Sequence, residues 1–257
     1  MQIPFDVYRA HAGYSQSDCK TALESAARLY ENKFRGGRDK AKPSQAMIDG
    51  IIYHAAILET ERFFQDYVVC PPRNTKAGKE RAAEIEREGK TAITAAHAYK
   101  AGEIIIRIGD NEIISELLST GEPEISIFDK DEETGLEIKG RLDWLTGDGV
   151  IVDIKTVAEG KASPHNFAKQ IANFKYHMQA AHYMQLAGAE RFVFVAVERE
   201  WPFSCGVYEL DAPALAEGAA LRRKALRLIA DCEQSGVWPG YTPEIQTLSL
   251  PSWGYDN

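Results

Sequence analysis

The stretch GRLDWLTGDGVIVDIKT, residues 140–156, decides the fold of this chain. It predicts a β-hairpin, because residues 136–145 and 150–156 are short runs rich in Ile, Val and Leu. Between them lies the sequence Gly-Asp-Gly, residues 147–149, which is a strong turn signal. The middle of the chain therefore predicts two neighbouring antiparallel strands.

The register of this hairpin brings two acidic residues together. If Thr146 pairs with Val150 across the turn, Asp143 lies directly opposite Asp153. Directly opposed residues have Cβ atoms roughly 5 Å apart and point to the same face of the sheet. Lys155 lies two residues beyond Asp153 and therefore shares that face. The hairpin thus predicts a cluster of two carboxylates and one ammonium group.

This cluster has the chemistry of a magnesium site. The neighbours of Asp143 and Asp153 are apolar, so two carboxylates at this separation would repel each other unless a cation lay between them. Magnesium prefers such hard oxygen ligands, with water and substrate phosphate completing its octahedron. The ammonium of Lys155 could activate water or neutralise charge in a transition state. The alternative is that Asp153 and Lys155 form a salt bridge on a solvated strand face.

The remaining elements predict a mixed sheet flanked by helices, an α/β (α+β) fold. Helix signals occur before and after the hairpin, and further strands lie on both sides of it. The predicted helices cover residues 15–34, 44–58, 94–118 with a break near 109–110, 163–186 and 211–234; the other strands cover 124–128, 191–198 and 205–210. Residues 70–90 are polar, which indicates either a mobile loop or an exposed helix.

Length and composition are those of an ordinary globular protein. The 257 residues favour a single domain over 1–257, with a mostly helical part at 1–120, the catalytic sheet and motif helix at 121–210, and a helix and tail at 211–257. A net charge of −8 argues mildly against a nucleic-acid partner, although a local basic path remains compatible with it. Four scattered cysteines make a zinc ribbon improbable. We expect no secretory signal and no membrane span, and a cytoplasmic location in a bacterial or phage-infected cell.

Two further pairs of residues lie on helices. Gly50 and His54 are four residues apart on one face, where the small glycine would let another element approach the imidazole. Gln179 and Tyr183 have the same spacing on a later helix. Each pair alone is compatible with ordinary core packing.

In their order along the chain, these features resemble a known family. GxxxHxxxLE (from Gly50), GxxD (140–143), DxK (153–155) and QxxxY (179–183) resemble the RecB-like branch of the PD-(D/E)XK nuclease superfamily. The closest likeness is to the nuclease domain of RecE (exonuclease VIII) and related phage exonucleases. The segments YRAHAGYSQSDCK, IDGIIYHAAILETERFFQDYVVCP, KTAITA and TLSLPSW also resemble RecE-type counterparts, so the likeness covers most of the chain.

The resemblance implies a restriction-endonuclease-like core with a Mg²⁺ or Mn²⁺ site. It implies a catalytic set and a metal-binding set, with Gln179 and Tyr183 holding the substrate phosphate or bracing the lysine. The catalytic residues would be Asp143, Asp153 and Lys155, and the metal ligands would be His54, Asp143, Asp153 and the Ile154 carbonyl. Glu124 is a weaker candidate, since family members often carry a further acidic residue there.

The resemblance also implies an activity and partners. Family members typically degrade one strand of linear double-stranded DNA in the 5′→3′ direction, form closed rings such as trimers or tetramers, and work in recombination with a single-strand annealing protein. The basic segments at 33–42 and 161–175 could contact phosphate. Two alternatives stay open: an endonuclease or single-strand nuclease on the same fold, and a catalytically silent DNA-binding or assembly module.

Overall fold

The computed structural model describes residues 1–37, 44–242, 244–251 and 254. Half of the basic segment at 33–42, including Arg38, Lys40 and Lys42, therefore lies outside the described residues. From residue 121 onward the elements follow the predicted order of three strands, a helical segment, two strands and a last helix. The helices are α1 Phe5–Ala10, α2 Gln16–Glu24, α3 Ala26–Phe34, α4 Gln45–Leu58, α5 Thr60–Asp66, α6 Lys76–Arg87, α7 Ala95–Gly109, α8 Glu112–Leu117, α9 Pro164–Phe174, α10 Tyr176–Ala187 and α11 Ala212–Ser235. The strands are β1 Tyr67–Val69, β2 Thr91–Ile93, β3 Gly121–Lys130, β4 Glu137–Thr146, β5 Ile151–Val157, β6 Phe192–Glu198 and β7 Cys205–Glu209.

The central sheet is mixed, which confirms the predicted fold class. Its strand order is β3-β4-β5-β6-β7, and every neighbouring pair is antiparallel except β5 and β6, which are parallel. Helices α9 and α10 connect these two parallel strands, as a crossover must. A second, two-stranded parallel sheet of β1 and β2 was not predicted, because strands of three residues carry almost no periodic signal.

Helices cover both faces of the central sheet. On one face, Ile52 of α4 and Ile104 of α7 pack in a buried cluster with Val152 and Ile154 of β5. On the other face, a separate cluster joins Ile151 of β5 to residues of β4, β6, α9 and α10. Burying both faces explains why β6 is a nearly continuous run of Phe, Val and Ala.

The hairpin has the predicted register over the residues that pair. Trp144 pairs with Val152 and Leu145 pairs with Ile151. The ladder ends there, however, whereas β5 pairs with β6 along its whole length, from Ile151 to Val157. Beyond Trp144 and Val152, β4 and β5 therefore separate, and the predicted direct pair of Asp143 with Asp153 is not part of the ladder.

Two predicted long helices are each divided in two. The helix predicted over 15–34 begins with Ser15 as its N-cap but breaks at Ser25, whose hydroxyl accepts from the Arg28 N–H and starts α3. The helix predicted over 163–186 breaks at Lys175, which has a left-handed backbone with φ 55°. In both places a single residue turns the chain, and the apolar pattern continues across it.

Helix α4, which carries the GxxxH motif, buries one face against the sheet. Ile52, Tyr53 and Ala56 of α4 are buried, whereas Met47 and Ile51 are each 60% exposed. Residues 76–87 form the exposed helix that was one of the two alternatives for the polar segment 70–90. In the described ranges, no helix is both long and apolar enough to cross a lipid bilayer.

Candidate active site

The separation of β4 from β5 creates the candidate site. Beyond the last ladder pair, the backbone N–H of Ile154 donates to Asp143 Oδ2 at 2.8 Å. The carboxylate of Asp143 thus occupies the gap between the strands and satisfies a backbone donor that β4 leaves without a ladder partner. The gap also brings residues from the two sides of the sheet close to each other.

Asp153 lies on the α10 side of this gap and is held from two directions. Its Oδ1 accepts from Gln179 Nε2 at 2.7 Å. Its Oδ2 forms an ion pair with the ammonium of Lys155 and, among the described residues, receives no other hydrogen bond. The side chain of Asp153 is only 1% exposed, so both partners stabilise a carboxylate that water hardly reaches.

His54 reaches the same gap from α4 on the opposite side of the sheet. Its Nδ1 lies 3.6 Å from Asp143 Oδ2. The predicted role of Gly50, to let another element approach, is only weakly supported: a Cβ there would meet Thr156 Oγ1 at 3.9 Å, an ordinary contact. His54 therefore lies beside a carboxylate of the candidate site, and its role there stays a prediction.

Glu124 joins the acidic cluster through an irregularity in β3. The β3–β4 ladder pairs Pro123 with Trp144 and Ile125 with Leu142 and omits the residues between them, Glu124 and Asp143. Glu124 has φ 56°, a left-handed backbone that a residue of this size adopts only when its surroundings require it. Glu124, the weaker candidate, therefore lies opposite Asp143 between these two ladder pairs.

Arg141 binds Glu124 and the N-terminal segment, a role that was not predicted although this arginine lies inside the GRLD motif. Its Nε pairs with the Glu124 carboxylate. Its Nη1 donates to the Ile3 carbonyl at 2.9 Å. Arg141 thus holds both the Glu124 side chain and the N-terminal segment at Ile3.

The GxxD and QxxxY motifs contact each other. A Cβ at Gly140 would lie 2.8 Å from Leu186 Cδ1 and 3.1 Å from the Tyr183 ring. The glycine therefore makes room for α10 to pack against β4, which brings Gln179 within reach of Asp153. Tyr183 is buried behind Gln179, where it can support the side-chain amide of Gln179.

The electrostatics of the cluster favour a bound cation. Burial raises the pKa of Asp143 to about 6 and that of Asp153 to about 6, although the Lys155 ammonium opposes both shifts. Burial alone would lower the pKa of Lys155, but the carboxylates of Asp153 and Asp143 outweigh it and raise that pKa. Two acids with such perturbed pKa values beside a fixed cation are typical of a functional site.

The imidazole of His54 is suited to metal binding. Burial, and then the nearby Lys155 charge, lowers the pKa of His54, while the charge of Asp153 and a backbone hydrogen bond with Ile154 act in the opposite direction. The neutral imidazole, which is the form that binds metals, is therefore favoured.

A cleft of about 1030 Å³ opens beside these residues. Its wall includes His54, Glu124 and Arg141 together with residues of the N-terminal segment and of α4. The lining carries the carboxylates of Asp6, Glu59, Asp66 and Glu124 and the guanidinium groups of Arg62 and Arg141. Because carboxylates outnumber guanidinium groups, the cleft attracts cations more readily than phosphate.

The side chains predicted to bind the metal, His54, Asp143 and Asp153, do not form a three-ligand group in this structure. In the described parts of the chain, no three side chains of the types His, Cys, Asp and Glu are grouped so that they could hold an ion. Magnesium typically uses one or two carboxylates and keeps water and substrate phosphate as its other ligands. Asp143 and Asp153 could supply those carboxylates, with His54 and the Ile154 carbonyl close by; these ligand roles stay predictions.

Of the residues predicted for the site, the structure brings together Asp143, Asp153, Lys155, His54, Gln179 and Glu124, and it places Tyr183 behind them. It also adds Tyr176, which the sequence reasoning missed. The Lys155 ammonium lies 4.8 Å from the centroid of the Tyr176 ring. Tyr176 precedes Gln179 by three residues on α10, so the helical spacing that joins Gln179 to Tyr183 could have indicated it.

A known family covers most of this chain. A family model described as a PDDEXK-like domain of unknown function (DUF3799) matches residues 15–251, which supports the predicted superfamily. No curated protein matches the chain significantly.

Among the similar solved structures, one shares the fold at a TM-score above 0.5. A protein from Eubacterium rectale, provisionally named an exonuclease, is 18% identical over 98% of this chain and 96% of its own, with a TM-score of 0.66. A phage-related exonuclease from Haemophilus somnus is 14% identical over 63% of this chain and 85% of its own, with a TM-score of 0.36. An alkaline exonuclease from Laribacter hongkongensis is 19% identical over 63% and 84%, with a TM-score of 0.33. At 18% identity the likeness to the Eubacterium rectale protein concerns the fold alone.

Proposed function

Because this chain belongs to the family of PDDEXK-like domains of unknown function (DUF3799), we propose that its acidic site hydrolyses phosphodiester bonds of DNA with a divalent cation, Mg²⁺ or Mn²⁺. The observation that carries this proposal is the position of Asp143 in the gap between β4 and β5, beside the Asp153–Lys155 pair. A purely structural salt bridge would not need a second buried carboxylate at the same place.

The residues of the site have distinct roles in this proposal. When bound, the cation supplies Lewis-acid stabilisation to a phosphate oxygen. Asp143 and Asp153 hold that cation, and Lys155 orients the attacking water or neutralises charge on the reacting phosphate. Gln179 keeps Asp153 in one orientation through the 2.7 Å hydrogen bond.

We further propose that the substrate is linear double-stranded DNA, degraded processively as an exonuclease, in the 5′→3′ direction, during recombination. This finer proposal, together with a ring-shaped homo-oligomer and a single-strand annealing partner, rests on the RecE-like motifs. The second candidate, an endonuclease or single-strand nuclease, uses the same residues and differs in the DNA that reaches them.

Timed digestion of end-labelled duplex in Mg²⁺ tests the proposal. We expect 5′-labelled linear duplex to lose its label first and closed circular duplex to survive. Early release of 3′ label would contradict the polarity, and cleavage of circles or of single strands alone would favour the second candidate. Intact linear DNA after prolonged incubation would contradict the nuclease itself, and equal DNA binding by Asp153→Ala would then favour a silent binding module.

Variants of the site give the matched test. Asp143→Ala and Lys155→Ala should each abolish cleavage and keep the native circular dichroism spectrum, because neither side chain fills the apolar core. Glu190→Gln, a change to an exposed carboxylate between α10 and β6, is the control and should cleave normally. Near-normal rates in either site variant would refute the assignment.

A further inference from the structure

Tyr176 contacts the only ammonium group that the proposed reaction uses. The Lys155 Nζ lies 4.8 Å from the centroid of the Tyr176 ring, within the range of a cation–π interaction. Asp153 binds the same ammonium. The side chain of Lys155 is only 13% exposed, so water weakens these interactions less than it would at the surface.

The fold holds the Tyr176 ring in place. The left-handed backbone of Lys175 ends α9 and makes Tyr176 the first residue of α10. Phe174 stacks on the Tyr176 ring at 5.6 Å, and the rings of Phe194 and Phe167 lie at 6.1 and 6.4 Å. Aromatic neighbours from α9 and β6 thus restrict the ring, so that its position is set before any substrate arrives.

A lysine by itself is a flexible group. Four rotatable bonds connect its ammonium to the backbone, and the ammonium imposes no fixed hydrogen-bond geometry. Asp153 cannot hold Lys155 alone if that carboxylate also binds a cation, because the cation competes for the same oxygen atoms. An uncharged ring that attracts the ammonium does not compete in this way.

We propose that Tyr176 is a positioning residue for Lys155, whose ammonium it holds beside Asp153 through a cation–π interaction. The consequence for catalysis rests on the proposed nuclease function, whereas the contact itself does not. Tyr176 acts through Lys155, so its loss should lower kcat and change KM little. We expect a fall in kcat of about tenfold for Tyr176→Leu and only a small fall for Tyr176→Phe, which keeps the ring.

Ring fluorination separates the cation–π interaction from packing. Phenylalanine, 4-fluorophenylalanine and 3,4,5-trifluorophenylalanine at position 176 have nearly the same shape, but each added fluorine weakens the negative ring face. We expect kcat to fall stepwise along this series while the melting temperature stays constant. A constant kcat along the series, or an unchanged kcat in Tyr176→Leu, would overturn the proposal.

A tyrosine in the same aromatic cluster provides the control. Tyr208 stacks on Phe167 at 5.2 Å, and its hydroxyl donates to the Ala162 carbonyl. Tyr208→Leu therefore removes a comparable ring from the cluster. An equal loss of kcat in Tyr208→Leu would mean that packing alone explains the effect and would contradict the role of Tyr176.

A spectroscopic test works even if the protein cleaves no DNA. In protein labelled with ε-¹³C lysine, the Lys155 signal is assigned by its absence from Lys155→Arg. We expect the ring current of Tyr176 to shift this signal upfield, the shift to disappear in Tyr176→Leu and to persist in Tyr176→Phe and Tyr208→Leu. A shift that survives Tyr176→Leu would refute the contact, whereas an inactive wild type with the expected shift would refute the nuclease proposal alone.

Discussion

Replacing Asp143 with asparagine should make the metal-free protein more stable while abolishing its activity. Burial raises the pKa of this acid from 3.8 to about 6 against the opposing charge of Lys155, so folding disfavours the ionised form. The neutral amide of Asp143→Asn keeps an oxygen that can accept the Ile154 N–H, and it leaves the Asp153–Lys155 pair in place. The variant thus removes a charge without leaving a buried donor unpaired.

The pKa gives the magnitude and the pH range of this effect. A rise from 3.8 to about 6 corresponds to about 3 kcal/mol of destabilisation by the charged form. We expect about 1–3 kcal/mol in practice, because the side chain is still 17% exposed. A raised folded-state pKa costs nothing below the unfolded value of 3.8, and its cost grows as the pH rises to about 6 and is complete above it.

Urea denaturation in EDTA at pH 8 and at pH 4 provides the assay. Asp143→Asn should have a higher free energy of unfolding than wild type at pH 8, and the difference should vanish near pH 4. Added Mg²⁺ should stabilise wild type more than the variant, since a ligand that binds the native state alone raises its stability. Glu190→Gln is the matched control. A variant less stable than wild type at pH 8, or a gain independent of pH, would refute the reasoning.

Three further changes test other parts of the structure. His54→Ala should fold normally and require more Mg²⁺ for half-maximal cleavage, because His54 lies at the gap rather than in the core; an unfolded variant would instead identify a core histidine. Gly140→Ala should cost about 1–3 kcal/mol in urea denaturation, because its Cβ would crowd Tyr183, and an unchanged stability would contradict the close contact. Arg222, whose buried guanidinium pairs with the buried carboxylate of Asp131, can be changed to methionine; Arg222→Met should cost about 1–3 kcal/mol, because Asp131 loses one charged partner and keeps Arg223, and an unchanged stability would contradict that expectation.

Much of the fold could be predicted from the sequence because turns and helix caps depend on residues close together in the chain. The Gly-Asp-Gly turn fixed the register of β4 and β5, and Ser15 and Ser44 capped helices where expected. Turn and cap interactions join residues only a few positions apart, so the sequence contains both partners. The same holds for the i, i+4 spacing that places Gln179 and Tyr183 on one side of α10.

Tertiary contacts decided how these pieces form a site. The β4–β5 ladder ends after Trp144 and Val152, whereas β5 pairs along its whole length with β6, a strand separated from it by two helices, and no local pattern contains that difference. The strained backbone of Glu124 depends on the ladder on either side of it. The ring of Tyr176 reaches Lys155 only because the chain turns at Lys175, where the apolar pattern predicts an unbroken helix.

Asp143, Asp153 and Lys155 show which features of the site the sequence determines and which depend on the tertiary structure. The sequence by itself determined that Asp143, Asp153 and Lys155 belong to neighbouring strands in one register. Only the tertiary structure decided that the strands separate at that point, so that the Asp143 carboxylate binds the Ile154 N–H and meets His54 from the other face. The physical reason is that backbone N–H groups without a strand partner must find another acceptor. Which acceptor is available depends on distant elements packed against the sheet.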